Sequence, residues 1–152
     1  MTDLERVKLD GWVLQLIKKQ TPELCLAAVK QNGCAIEYVK KQTPELCLAA
    51  VKQNGLALRY VKKQTPEICL AAVKQDGYAL NHVKKQTTEI CMAAVKENRQ
   101  DGWPLRYVKK QTINICLAAV KQNPDVVMFI TDPICLNVIR KQYPELIARL
   151  YD

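Results

Sequence analysis

The sequence predicts an all-α fold, an α-solenoid of about five 22-residue helix-pair repeats with a capping helix at each end. Three observations predict it. The chain repeats itself at a fixed period, each copy carries two helix-start signals at fixed places, and its apolar residues fall at helical spacing. Residues 11–32, GWVLQLIKKQTPELCLAAVKQN, are followed by GCAIEYVKKQTPELCLAAVKQN over 33–54 and GLALRYVKKQTPEICLAAVKQD over 55–76. A fourth copy begins at Gly77 and carries an insertion, ENRQD, over 97–101, and a fifth spans 102–123. Chance does not produce five near-copies, and a period of this length marks stacked supersecondary units.

The elements follow in order. TDLERVKLD, within residues 1–10, aligns with the second helix of a repeat, except that Asp3 and Arg6 replace a Cys and an Ala of its buried face. A terminal helix lacking one neighbour needs such polarity, so this segment reads as a half-repeat cap. The first helix of each repeat follows Asp10, Asn32, Asn54, Asp76 or Asp101, all good N-cap residues, and a glycine. That glycine could instead end the preceding helix in the left-handed region. In the last copy Asn123 is followed by Pro124, whose φ is fixed near −65°, and this favours the N-cap reading. The second helix follows Thr21, Thr43 or Thr65, then a proline and a glutamate: an N-cap, a first-turn proline and an acid near the positive helix end.

Projection at ~100° per residue puts Ala35, Ile36 and Val39 on one side of a first helix. Cys34, Glu37, Tyr38 and Lys41 fall on or beside the other. In the second helix Leu46, Cys47, Ala50 and Val51 form one apolar face, with Glu45, Ala49 and Lys52 outward. Each helix is shorter than the ~12–15 residues needed for independent stability, so folding must run through contacts between repeats. The polar insertion at 97–101 is expected to lengthen a loop or bend the stack locally. Residues 124–152 read as a degenerate repeat and a closing helix, YPELIARLYD, so the whole chain, 1–152, is expected to form one complete repeat domain.

Composition limits the function. The formal net charge of +8 suits an acidic partner, whether nucleic acid or an acidic protein face. No apolar run reaches the ~18 residues of a membrane span, and no secretory signal opens the chain, so a cytoplasmic site of action is expected. Cys25, Cys47, Cys69, Cys91 and Cys116 occupy one place in each repeat, Cys135 reads as their counterpart in the altered repeat, and Cys34 is the outlier. Neighbouring helices lie ~8–10 Å apart, beyond the roughly 7 Å Cα limit of a disulfide. With no CxxC pair and a single histidine, a structural zinc site has no ligand set either. The cysteines are expected to be buried, reduced and used as small apolar residues, and no cofactor or metal is expected.

Catalytic signals are missing. The chain contains no serine, and His82, the one histidine, stands where other repeats hold Tyr38, Tyr60 and Tyr107. No phosphate-binding glycine loop occurs, and Glu23, Glu45, Glu67 and Glu89 recur once per repeat as first-turn acids do. An enzyme is not expected.

Binding candidates come from comparing the repeats with one another. The place after the glycine holds Trp12, Cys34, Leu56, Tyr78 and Trp103. Three residues on stand Gln15, Glu37, Arg59, Asn81 and Arg106, and next to them Leu16, Tyr38, Tyr60, His82 and Tyr107. Spacing of i, i+3, i+4 puts these on one strip, and Trp, Tyr and Arg dominate binding hot spots. Packing of the rings between successive first helices, or drift after duplication, would give the same pattern. A second candidate is the lysine pairs, Lys18-Lys19, Lys40-Lys41, Lys62-Lys63, Lys84-Lys85 and Lys109-Lys110. They are expected to end each first helix and to form a charged ridge. Lys19, Lys41, Lys63, Lys85 and Lys110 are its candidate phosphate ligands, and helix capping is its plainer use.

The phrase AAVKQNG, with LxYVKKQTPEIC, resembles an uncharacterised family of tandem short helical repeats found in giant-virus and bacterial proteins, a domain of unknown function. The resemblance covers about residues 11–123. It implies an all-α repeat fold, and by analogy a viral or bacterial factor that binds a target protein, with the host cytoplasm or nucleus as its place of action. The expected function is therefore non-enzymatic protein binding, with nucleic-acid binding through the lysine ridge as the alternative.

Overall fold

The computed structural model describes residues 1–97 and 102–148. Its elements are α1 (Asp3–Leu9), η1 (Gly11–Leu16), α2 (Pro22–Gln31), η2 (Gly33–Tyr38), α3 (Pro44–Gln53), η3 (Gly55–Tyr60) and α4 (Pro66–Gln75). There follow η4 (Gly77–His82), α5 (Thr88–Glu97), η5 (Trp103–Tyr107), α6 (Ile113–Gln122), η6 (Pro124–Phe129), α7 (Pro133–Gln142) and α8 (Pro144–Ala148), η denoting a 3-10 helix. The α-helices pack in sequence order in one layer and the 3-10 helices in a second. The fold is the expected all-α repeat solenoid.

The first helix of each pair is not α-helical. Ala35 N–H donates to Asn32 O at 2.9 Å and Val39 N–H to Ile36 O at 3.2 Å, the i to i+3 bonds of a 3-10 turn. Val39 is already extended at φ −71°, ψ 114°, so the helix has six residues, a length at which 3-10 geometry is common. The lysine pairs therefore do not end a helix. They lie at a bend in the connection that leads to the next Thr cap. Ala35, Ile36 and Val39 are buried as expected, but so is Cys34, whose Sγ accepts from Asn54 Nδ2 at 3.5 Å. Ala49, expected outward, is half-buried against the core.

The caps follow the sequence. Asn32 and Asn54 sit at φ −144° and −148°, and their Oδ1 atoms accept from Cys34 and Leu56 N–H. Thr21, Thr43 and Thr65 Oγ1 accept from Leu24, Leu46 and Ile68 N–H, each at 3.3 Å. The glycines that open η1, η2 and η3 are fixed by a close approach. A Cβ on Gly11 would lie 2.6 Å from Ala28 O, and one on Gly55 2.5 Å from Ala72 O; Gly33 faces Ala50 O in the same way. Among the described glycines only Gly102 has a positive φ, 61°. The expected cap Asp101 and insertion residues 98–101 lie outside the described residues.

A glutamine holds each repeat to the next. Gln42 Nε2 donates to Ile36 O and to Tyr60 O, both at 3.0 Å, while its Oε1 accepts from Lys62 N–H at 3.0 Å. One side chain thus satisfies a carbonyl of its own 3-10 helix and two backbone groups of the following repeat. Gln20, Gln64 and Gln86 make the same three bonds. The cysteine thiols point at the same amide oxygens, with Sγ to Oε1 between 3.6 Å at Cys69 and 4.0 Å at Cys116. At the other end of the pair Gln53 Oε1 accepts from Gly33 N–H at 2.6 Å, and its Nε2 donates to Gln31 O at 3.4 Å. These amides are needed because a short 3-10 helix leaves most of its terminal groups without internal partners.

The altered repeat corrects one reading. From Tyr38 to the cap Thr43 is five steps, and from Phe129 to the cap Asp132 three, so two residues, the clamp glutamine among them, are missing. Cys135 then stands three residues after its cap, the place of Leu46 and Ile68, and Leu136 takes the cysteine place. At the N-terminal end Asp3 and Arg6 pair at 3.2 Å, and Thr2 and Glu5 form a capping box.

Three substitutions test this scaffold by urea denaturation. Gln42→Ala leaves Tyr60 O and Lys62 N–H without their partner, while Ile36 O keeps its bond from Val39 N–H, and is expected to cost about 2 kcal/mol; Gln42→Glu, which loses the two Nε2 donations, should be no milder at pH 7. Gly33→Ala should destabilise by about 2 kcal/mol or more, whereas a glycine free of a close approach would gain stability from the same change.

Candidate functional site

The predicted strip lies on the layer of 3-10 helices, and the structure divides it in two. Gln15, Glu37, Arg59, Asn81 and Arg106 are exposed. Tyr38, Tyr60, Tyr78, His82, Trp103 and Tyr107 are half-buried, and Trp12 is 37 % exposed. The rings wedge between neighbouring repeats. Trp12 meets Tyr38 edge-on at 5.7 Å, Tyr78 meets Tyr107 at 6.3 Å, and Trp103 meets Phe129 at 5.1 Å. Each pair joins the place after the glycine in one repeat to the sixth place in the next. Such pairs contribute about 0.5–1.5 kcal/mol beyond area burial, so the rings serve packing as well as surface.

Two arginines stand over these rings. Arg59 Cζ stands 4.5 Å from the Tyr60 ring centroid, and Arg106 Cζ stands 5.3 Å from that of Tyr107 and 5.5 Å from that of Phe129. Stacking restrains the guanidinium while leaving its N–H fork for a partner. Burial, and then the charge of Arg59, hold the His82 imidazole below its ordinary range, which favours the neutral ring.

The lysine pairs also divide. Lys40 Nζ donates to Lys18 O at 2.6 Å and Lys84 Nζ to Lys62 O at 3.3 Å, so the first lysine of these pairs ties one repeat to the one before it. The second lysines, Lys19, Lys41, Lys63, Lys85 and Lys110, are exposed. Among the described residues the one ion pair is Arg6 to Asp3, so no carboxylate is paired with them. Clefts open beside these lysines: about 630 Å³ at Lys18, Lys19, Lys40 and Lys41, about 220 Å³ at Lys84 and Lys85, and about 250 Å³ at Lys109 and Lys110.

All seven cysteines are buried. Burial pushes the Cys47, Cys69 and Cys91 thiols up, and the Cys116 thiol is pushed up to about 12 by burial and by Cys135 beside it. A thiol held protonated is a poor nucleophile and a poor metal ligand. Among the described residues no group of three or more His, Cys, Asp or Glu is placed to hold a metal, and no helix is long and apolar enough to cross a membrane.

Sequence reasoning found the strip and the lysines but not the cleft floor, formed by Pro22, Leu26 and Leu46. Leu46 is buried in the core as the face projection has it, and its remaining edge also lines the cleft. The glutamine clamp was missed too. A signal existed: an uncharged amide stands between two lysines and the Thr cap in all five copies, where a merely solvated residue would drift.

A repeat family described as a domain of unknown function (DUF4116) matches the chain three times in overlapping tandem, over residues 21–65, 43–87 and 65–112. No curated protein and no solved structure matches it.

The thiols give a pH prediction. A folded value above the ordinary 9.0 means that the stability tied to the thiols is fully present below that value, and is lost as pH rises through the folded values, toward about 12 at Cys116. Thermal melts should therefore show Tm falling as pH rises above about 9, and less steeply in a Cys69→Ala, Cys91→Ala variant. An equal slope in that variant would assign the alkaline loss to other groups.

Proposed function

We propose that this chain, which belongs to the DUF4116 family of helical repeats, is a non-enzymatic protein-interaction module that binds its partner along the strip on its 3-10 layer. One observation supports this above the rest. Apart from the lysines, the positions copied unchanged between repeats include the main scaffold residues: the Thr caps, the opening glycines, the glutamine clamps and the buried Ala and Val of each α-helix. The positions that differ gather on the exposed side of the strip, where Gln15, Glu37, Arg59, Asn81 and Arg106 follow one another from repeat to repeat. A uniform scaffold with a varied, arginine-bearing and ring-supported surface is how a solenoid acquires a specific partner without changing its fold.

The alternative, nucleic-acid binding along the lysines, has the exposure of Lys19, Lys41, Lys63, Lys85 and Lys110 in its favour. The first lysines of two pairs, Lys40 and Lys84, already bond backbone carbonyls, which gives the lysine repetition a structural use. The strip is therefore the stronger reading.

Affinity capture with the wild-type chain and with an Arg59→Ala, Arg106→Ala variant of matched melting temperature tests it. The wild type should retain a discrete protein that the variant releases, with a loss of about 2 kcal/mol or more for the pair. Retention by both chains would remove the strip from consideration.

A further inference from the structure

The largest of the lysine clefts, between the start of α2 and the start of α3, has no part in the strip. It encloses about 630 Å³, within the ~300–1,000 Å³ range of ligand sites. Its floor is aliphatic. Pro22, Leu26 and Leu46 line it, and Leu26 is 37 % exposed, whereas its counterparts Leu48, Leu70 and Leu117 are half-buried. Its rim is cationic. Lys18, Lys19, Lys40 and Lys41 surround it against one carboxylate, Glu45. Lys40 Nζ is held by Lys18 O, and the ammonium groups of Lys18, Lys19 and Lys41 pair with no carboxylate among the described residues.

We propose that this cleft binds an acidic peptide segment that inserts one aliphatic or aromatic side chain between the lysines. Charge complementarity selects an anion, and the floor selects the kind. A phosphate backbone would use the rim alone, and bases would want flat rings to stack on, which the lining lacks. A peptide carrying carboxylates on both sides of one apolar residue uses rim and floor together. The related clefts at Lys84 and Lys109 are 220 and 250 Å³, so they offer charge with less room for a side chain, and the first cleft sets the register of the bound segment. Glu45 on the wall repels a carboxylate placed beside it, which sets the inserted residue next to Leu46 and the acids toward Lys19 and Lys41.

Fluorescence anisotropy tests the proposal with three labelled probes: a short glutamate-rich peptide with one central leucine, the same peptide with glycine there, and a single-stranded RNA of mixed sequence. The leucine peptide should bind at least about tenfold tighter than the glycine peptide, as burial of one leucine implies. Lys19→Glu with Lys41→Glu should weaken both peptides. Leu26→Gln, at an exposed position that leaves the fold intact, should bring the leucine peptide down to the glycine peptide, and it decides the matter even if the double variant unfolds. Arg59→Ala with Arg106→Ala should change neither affinity, which separates this cleft from the strip. Equal binding of the two peptides, strong binding of the RNA without the leucine peptide, or binding of no probe would each overturn it.

Discussion

The structure depends on one side-chain amide per repeat. A short 3-10 helix followed by a bent connection leaves backbone groups that neither element can satisfy within itself. The glutamine before each Thr cap supplies both a donor and an acceptor at that point. Gln42 closes η2 through Ile36 O and reaches across to Tyr60 O and Lys62 N–H of the next repeat. Glutamate could accept but not donate there, and a shorter asparagine would not span the gap. Since every clamp needs the following repeat, local structure and stacking form together, and cooperativity passes from neighbour to neighbour.

The other fixed residues follow from that geometry. Bringing η2 against α3 places Gly33 over Ala50 O, so no Cβ is tolerated there. The small Ala28, Ala50, Ala72, Ala94 and Ala119 are fully buried where helices meet, and the cysteine beside them is narrow enough to lie over the clamp amide. Among the described residues no buried side-chain polar atom lacks a partner. The surface is thereby left to vary, and its two features differ in kind. The strip carries residues that change from repeat to repeat, while the lysines repeat unchanged and vary only in the cleft they border.

Much of this was legible in the chain. The period fixed the architecture, the Thr-Pro-Glu and Asn-Gly phrases fixed the caps, and the spacing of Ala35, Ile36 and Val39 fixed the buried side. The 3-10 geometry was not legible, because over one or two turns the caps and apolar spacing of a 3-10 helix match those of an α-helix. The clamp was hidden because an amide shows its use only once the neighbouring backbone is in place. Cys34 reads as a surface residue on a lone helix and becomes buried when Asn54 of the next repeat covers it. Cys135 was misplaced because the deletion before Asp132 removes two residues from the connection, not from the helix. On the strip, the exposed residues were identified from their variation, but the ring pairs Trp12–Tyr38 and Trp103–Phe129 join separate repeats and need the stacking offset to be seen.

Native-state hydrogen exchange of the lysine amides tests the clamp most directly. The N–H groups of Lys40, Lys62, Lys84 and Lys109 each donate to a glutamine Oε1 at 3.0 Å, although their side chains are exposed. They should be protected to the level of the α-helix amides, while those of Lys41, Lys63 and Lys85, one residue on, exchange quickly. Equal and rapid exchange along each pair would contradict the account, because the repeats would then be held together without the glutamines.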